Sequence, residues 1–224
     1  MPPLAVTINE HFRMIRGFFY ILIISLFQCC SSSRTDSEKI KECFEKYKKA
    51  IVNQDGKIGI ECVDSKTIAY YDNMIKKIRT SDSIEVEKET PYNKLTILKV
   101  RQSAKKESLL TMNGKDLLSY LITQGKAGSS TISEQEIDSI KIENNDATAE
   151  RFVNGKRTPF AYAFYKEQNE WKLYMAGLIP VHNSGLKYSI SQSGLSENEY
   201  ILKFIEQTSG SKPTNDIWHV LTSK

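Results

Sequence analysis

The sequence predicts an α+β domain, with helices first, an antiparallel sheet after them and a further helix at the C-terminus. Three observations lead there. Between residues 38 and 124, apolar residues recur at spacings of three and four. Beyond residue 132 the spacing becomes two, and short turn sequences separate the alternating runs. From Ser196 to Glu206 the helical spacing returns, with Glu197 and Glu199 in the first turn, where they complement the helix dipole.

Each element follows from its residues. Thr35 to Glu38 is polar, and Asp36 and Ser37 are both able to cap a helix. Glu38 to about Asn53 carries Ile40, Cys43, Phe44, Tyr47 and Ile51 on one stripe, with lysines opposite. Asn53-Gln54-Asp55-Gly56 ends this helix. Lys57 to Val63 forms a short second helix. Asp64-Ser65 caps a third, Lys66 to about Arg79, with Ile68, Tyr71, Ile75 and Ile78 on one face. Ser83 to Lys88 is acidic and fits helix and loop equally. Pro91 opens a further helical region with Leu95, Leu98 and Val100 and, farther on, Leu109 to Met112. Gly114 interrupts it, and Asp116 to Gln124 makes the last helix before Gly125.

The strands begin within Ile132 to Ile142, where Ile137, Ser139 and Lys141 alternate with Asp138, Ile140 and Ile142. Asn144-Asn145-Asp146 turns the chain into Ala147 to Val153, and Asn154-Gly155 turns it again. Within Thr158 to Lys166, Phe160, Tyr162 and Phe164 alternate with Ala161, Ala163 and Tyr165. After a turn at Asn169, Trp171, Leu173 and Met175 alternate with Lys172, Tyr174 and Ala176. The sheet thus offers one aromatic face, Phe160, Tyr162, Phe164 and Trp171, and the N-terminal helices are its expected cover. His182, beside Pro180, falls in a stretch expected to be a loop.

At about 150 residues per domain, 224 residues allow one core with an appendage. With 40% apolar and 26% charged residues, the composition excludes multi-pass membrane, collagen-like and disulfide-dense classes. The net charge of +4 is spread over the whole chain, too dilute for a nucleic-acid partner. Ahead of the body, Phe18 to Phe27 is apolar, half the length of about 20 residues that a spanning helix needs. Arg13 and Arg16 precede it, and Cys29, Cys30 and a serine run follow, as in a signal peptide. A cysteine directly after such a segment resembles the lipobox of bacterial lipoproteins. Leu26 stands three residues before Cys29, although Gln28 is bulkier than the pattern asks. That resemblance implies lipidation at Cys29 or Cys30 and a membrane-anchored protein of the cell envelope, facing the periplasm or the surface at an outer membrane. Starting at Met14 gives the leader an ordinary length.

The expected organisation is a signal peptide and lipobox over residues 1–30, a tether over 31–37, the α+β domain over 38–180 and a helical extension over 181–224. An oxidising envelope permits a Cys43–Cys62 disulfide, but the place of Cys43 on an apolar stripe favours a buried free thiol.

The opening helix with Tyr47, Ala50 and the Asp55-Gly56 break, the Ile68-Ala-Tyr-Tyr71-Asp72 helix, and the hairpin Phe160 to Glu167 followed by Glu170-Trp171-Lys172-Leu173 together resemble the NTF2-like superfamily, which includes SnoaL-like and ketosteroid-isomerase-like proteins. The resemblance covers residues 38 to about 178. It implies a cone in which helices and a curved sheet enclose an apolar pocket, and a homodimer through the sheet. Tyr71, Tyr162, Phe164, Trp171 and Tyr174 would line that pocket. A non-catalytic pocket binding a small apolar ligand or a protein partner is the first expectation. A small isomerase, cyclase or hydratase using a pocket acid and a tyrosine is the alternative, with Tyr70 and Asp72 as further candidates. An immunity or inhibitor protein is a third.

No catalytic residue is assigned and no cofactor is expected. His182 and His219 do not lie in a metal-ligand pattern, and Gly125-Lys126 and Gly155-Lys156 lack the upstream glycine of a phosphate loop. Asp82-Ser83-Ile84 and Asp138-Ser139-Ile140 resemble short O-glycosylation sites of Bacteroidetes envelope proteins.

Overall fold

Acidic residues at a helix start and an apolar stripe beyond them make α1 (Asp36–Val52), which carries Asp36 and Glu38 in its first turn and buries Ile40, Phe44, Tyr47, Ala50 and Ile51. The computed structural model describes residues 34–125 and 132–221. The expected signal peptide, Cys29, Cys30 and the serine run lie outside them. Short polar side chains start the helices that follow. Asp55 caps α2 (Gly56–Glu61), and Asp64 caps α3 (Ser65–Thr80) by accepting from the Thr67 N–H. The acidic segment after α3 is helical: Asp82 and Glu85 form a reciprocal capping box on α4 (Ser83–Glu87). Thr90 and Pro91 open α5 (Pro91–Ser103). Next come α6 (Lys106–Thr111) and α7 (Gly114–Thr123), the latter with an Asn113–Asp116 box.

Two glycines let α7 pack closely. A Cβ on Gly56 would lie 2.4 Å from the Ser119 carbonyl oxygen of α7, and one on Gly114 would lie 2.5 Å from the Asp72 backbone nitrogen of α3.

The sheet is an antiparallel meander, β1 (Gln135–Glu143), β2 (Asp146–Val153), β3 (Lys156–Glu167) and β4 (Glu170–Leu173), in that spatial order. Left-handed backbone at Asn144, Asn154, Gln168 and Asn169 makes the turns. The register slips between Asp138 and Lys141 and again between Glu150 and Phe152. The edge of β4 is tied to the α2–α3 connection, where Leu173 donates to the Cys62 carbonyl (2.8 Å) and accepts from the Asp64 N–H (3.1 Å).

Three expectations need correction. β4 stops at Leu173, and Met175 lies in the 3-10 turn Met175–Leu178 that leads toward Pro180. His182 is not in a loop but on α8 (Ile179–Ser193), where Pro180 occupies the first turn and its missing N–H is no loss. The expected boundary at residue 180 therefore falls inside a helix. Phe160 is 41% exposed and lies within the second slip in register, where the β2–β3 pairing jumps from Ala161 to Arg157.

Ser196 and Glu199 form a capping box on α9 (Glu197–Ser209), which buries Ile201 and Ile205. The core has two clusters. One, under the sheet, holds Phe44, Leu118, Ile122, Tyr162, Phe164 and Trp171. The other joins α3, α5, α7 and α9 through Ile75, Ile78, Leu98, Leu117, Leu121 and Ile201. Helix α7 serves both, with neighbouring stripes at 117/121 and 118/122. Two cations are buried in the helical part. Lys94 pairs with Glu87 (2.8 Å) and Glu197 (2.7 Å). Arg101, 8% exposed, donates to the carbonyls of Ile78 (2.8 Å), Ser81 (2.7 Å), Ile217 (3.0 Å) and Lys77 (3.4 Å).

Candidate functional site

At the seam between the two clusters lies a cavity of about 90 Å³. Helix α5 supplies a wall at helical spacing: Tyr92, Leu95, Thr96, Lys99 and Val100. Tyr70 and Tyr71 come from α3, Tyr47 from α1 and Leu121 from α7. Met175, Ile179 and His182 close it from the 3-10 turn and α8, again at spacings of four and three. The helix missed by the sequence reading is thus part of the wall.

The wall is aromatic and its geometry is fixed by stacking. The Tyr92 and His182 rings stack with centroids 5.4 Å apart, and Tyr70 meets Tyr71 edge-on at 5.1 Å. Tyr70 donates to Asn93 Oδ1 (2.8 Å); Asn93 in turn donates to Glu89 (2.9 Å), which is ion-paired with Lys77. The hydroxyls of Tyr47, Tyr71 and Tyr92 make no hydrogen bond among the described residues, and none of them is fully enclosed, unlike the unpartnered Asp64 Oδ2 and Trp171 Nε1 elsewhere. Tyr47 is nevertheless only 2% exposed. Burial raises all three phenols above their ordinary 10.0, and neighbouring phenols add to the rise at Tyr47 and Tyr71. They remain protonated at neutral pH. Burial pushes the His182 imidazole below its ordinary 6.5, so it is uncharged there. None of the lining residues is an aspartate or glutamate.

Of the five residues expected in a pocket, Tyr71 lines this cavity. Tyr162, Phe164 and Trp171 are buried under the sheet and fill the space there. Tyr162 packs on the Phe44 ring at 5.0 Å and donates to Gln135 Oε1. Tyr174 meets Tyr165 edge-on at 5.4 Å, and the Lys66 ammonium sits 3.5 Å from the Tyr165 ring centre. Asp72 is exposed and does not line the cavity; it accepts from the Gly114 N–H at 2.5 Å and so anchors the start of α7.

Cys43 and Cys62 are free thiols, donating to the carbonyls of Cys62 (3.5 Å) and Ile58 (3.3 Å). Burial pushes them up to about 12 and about 11 respectively. Ser83 opens α4, and Ser139 sits at the bulge of β1. Among the described residues, no group of three His, Cys, Asp or Glu is placed to hold a metal, and no helix is long and apolar enough to cross a membrane.

Sequence reading missed Tyr92 and His182 as partners. The only signal for them was Pro91 and Pro180, each of which opens the helix that carries its neighbour. The chain matches no family model, no curated protein and no solved structure.

Proposed function

We propose that this chain is an exported lipoprotein, held at the cell envelope by acyl groups on Cys29 or Cys30, whose helix-lined cavity binds a small, largely apolar molecule and releases it unchanged. One observation carries the binding role: Tyr47, Tyr71 and Tyr92 line a mostly apolar cavity, and their hydroxyls have no hydrogen-bond partner among the described residues. Hydroxyls that open onto a cavity without a protein partner are satisfied by water or by a ligand. Non-catalytic binding is favoured over acid–tyrosine catalysis because no carboxylate lines the cavity and Asp72 is engaged by Gly114. NTF2-like kinship is part of the same proposal, supported by the helix-first order and the antiparallel meander under α1.

Two measurements test it. Native mass spectrometry of the gently purified full chain should show a bound small molecule. Val100→Trp, which fills the cavity, should remove it. A full chain that carries nothing, with identical spectra for wild type and variant, defeats the binding role. Mass mapping of the mature N-terminus should find an acylated cysteine, and a chain still beginning at Met1 or Met14 defeats the lipoprotein role.

A further inference from the structure

Helix α8 closes one side of the cavity, yet little holds it down. None of its 15 residues is buried, whereas α9, with 13, buries Ile201 and Ile205. Gly185 sits in the middle of α8, where a Cβ would meet nothing within 4 Å. No packing demands a glycine there, and helix stability is lost by it. Ser184, Ser189, Ser191 and Ser193 turn their hydroxyls back onto carbonyls of the same helix, those of Pro180, Gly185, Tyr188 and Ile190. Among the described residues, the side chains of α8 make one hydrogen bond to another helix: Asn183 Oδ1 accepts from the Tyr92 N–H at 3.3 Å. Beside it the His182 ring stacks on that of Tyr92. The two ends are better fixed than the middle. Ahead of α8, the Ala176 N–H donates to the buried Thr67 of α3 (3.2 Å), and a Cβ on Gly177 would come within 2.8 Å of the Tyr174 ring. Behind it, Gly194 takes the left-handed conformation at φ 70°, and the Ser196–Glu199 capping box starts α9.

We propose that α8 is a strap that unfolds locally between Leu178 and Gly194 while the rest of the body stays folded, and that this opening is the route by which the cavity exchanges its contents with solvent. A segment with few buried apolar contacts and low helix propensity opens at a free energy well below that of the whole body. The latch is the pair of contacts on Tyr92. Opening breaks the stack with His182 and the bond to Asn183, and it withdraws Ile179 and His182 from the wall. The Tyr92 N–H lies in the first turn of α5, where it has no partner within its own helix, so water replaces Asn183 there at small cost. The opening stands on α8 alone; its use as a ligand entrance rests on the binding role proposed above.

Hydrogen–deuterium exchange of the full chain, followed by peptide mass spectrometry, reads the opening directly. The amides of α8 beyond its first turn should exchange at least about 100-fold faster than those in the middle of α5. Gly185→Ala should slow exchange in α8 by about 4- to 5-fold and leave α5 unchanged. Asn183→Ser, close to asparagine in helix propensity but too short to reach Tyr92, should speed it by about 2- to 10-fold. The route is read with Val100→Cys, at a wall position that is 0% exposed, by mapping its modification with a small alkylating reagent. Adding Gly185→Ala should slow that modification by about the same 4- to 5-fold. Exchange in α8 that is as slow as in α5, or unmoved by Gly185→Ala, overturns the strap. Modification of residue 100 that ignores Gly185→Ala overturns the route. Neither readout uses a ligand, so failure of the strap is distinct from failure of the binding role.

Discussion

Replacing Arg101 with methionine should reveal how much of the helical half depends on one buried cation. The guanidinium lies against the last turn of α3, where the dipole is negative, and donates to the carbonyls of Ile78 and Ser81 and, at longer range, to that of Lys77, which already accepts from the Ser81 N–H. Its fourth bond, to Ile217, ties down the 3-10 turn Asn215–Trp218 near the C-terminus. Methionine fills a similar volume but leaves the closely bonded carbonyls of Ile78, Ser81 and Ile217 without a donor. Each orphaned buried carbonyl costs ~1–3 kcal/mol, a gross loss of about 3–9 kcal/mol. Relief from desolvating the guanidinium returns several kcal/mol, leaving a net destabilisation of about 3 kcal/mol. For a body of this size that lowers the thermal midpoint by about 6–12 °C, measurable by circular dichroism. Arg101→Lys, which places a point charge but cannot reach all four carbonyls, should fall between the two. A drop of less than about 2 °C for Arg101→Met would show that water serves these carbonyls as well as the guanidinium does.

Gly114→Ala should destabilise by ~1–3 kcal/mol, because the new methyl meets the Asp72 nitrogen at 2.5 Å and the Ile68 oxygen at 2.7 Å. Alanine's helix propensity alone would favour the variant by ~1 kcal/mol, so a raised midpoint would disprove the close approach of α7 to α3. Glu87 is held below its ordinary 4.5 chiefly by its hydrogen bond from Lys94. A lowered carboxylate contributes its stability in full above 4.5 and loses it as the pH falls through the lowered value. Lys94→Met should therefore flatten the acid limb of a stability–pH profile, and an unchanged limb would rule the pair out as its source. Cys43 and Cys62, with thiols raised to about 12 and about 11, should react slowly with a thiol reagent at pH 8 in the native protein and rapidly in denaturant. Rapid native labelling in a chain lacking Cys29 and Cys30 would contradict their burial.

The helices were legible where one face is apolar and the other is not. Helices α1 and α3 announce themselves through Ile40, Phe44 and Tyr47, and through Ile75 and Ile78; the meander does so through its period of two and its Asn turns. Helix α8 was illegible for a physical reason. None of its residues is buried, and Ser184, Gly185, Ser189, Ser191 and Ser193 leave neither an apolar stripe nor strong propensity to read. Alternation likewise placed Phe160 on the face of Tyr162 and Phe164, but no pattern within a strand tells where its register slips. The cavity was harder still. Its α5 wall mixes Tyr92, Thr96 and Lys99 with Leu95 and Val100, so it reads as a weak amphipathic face. Its opposite wall comes from a stretch about 90 residues away in sequence, around His182, where a loop was expected. Tyr71 was the one expected pocket residue within reach of this reasoning, because it packs against both core clusters.

Leu117 and Leu121 point one way from α7, and Leu118 and Ile122 another, so a single rod braces both halves of the body. Neither half keeps its hydrophobic floor once that rod is withdrawn, which binds their melting into one event rather than two. The chain's 2 tryptophans report from opposite sides of the brace, Trp171 beneath the sheet and Trp218 against the helices. Light emitted by either ring therefore tells the fate of the whole.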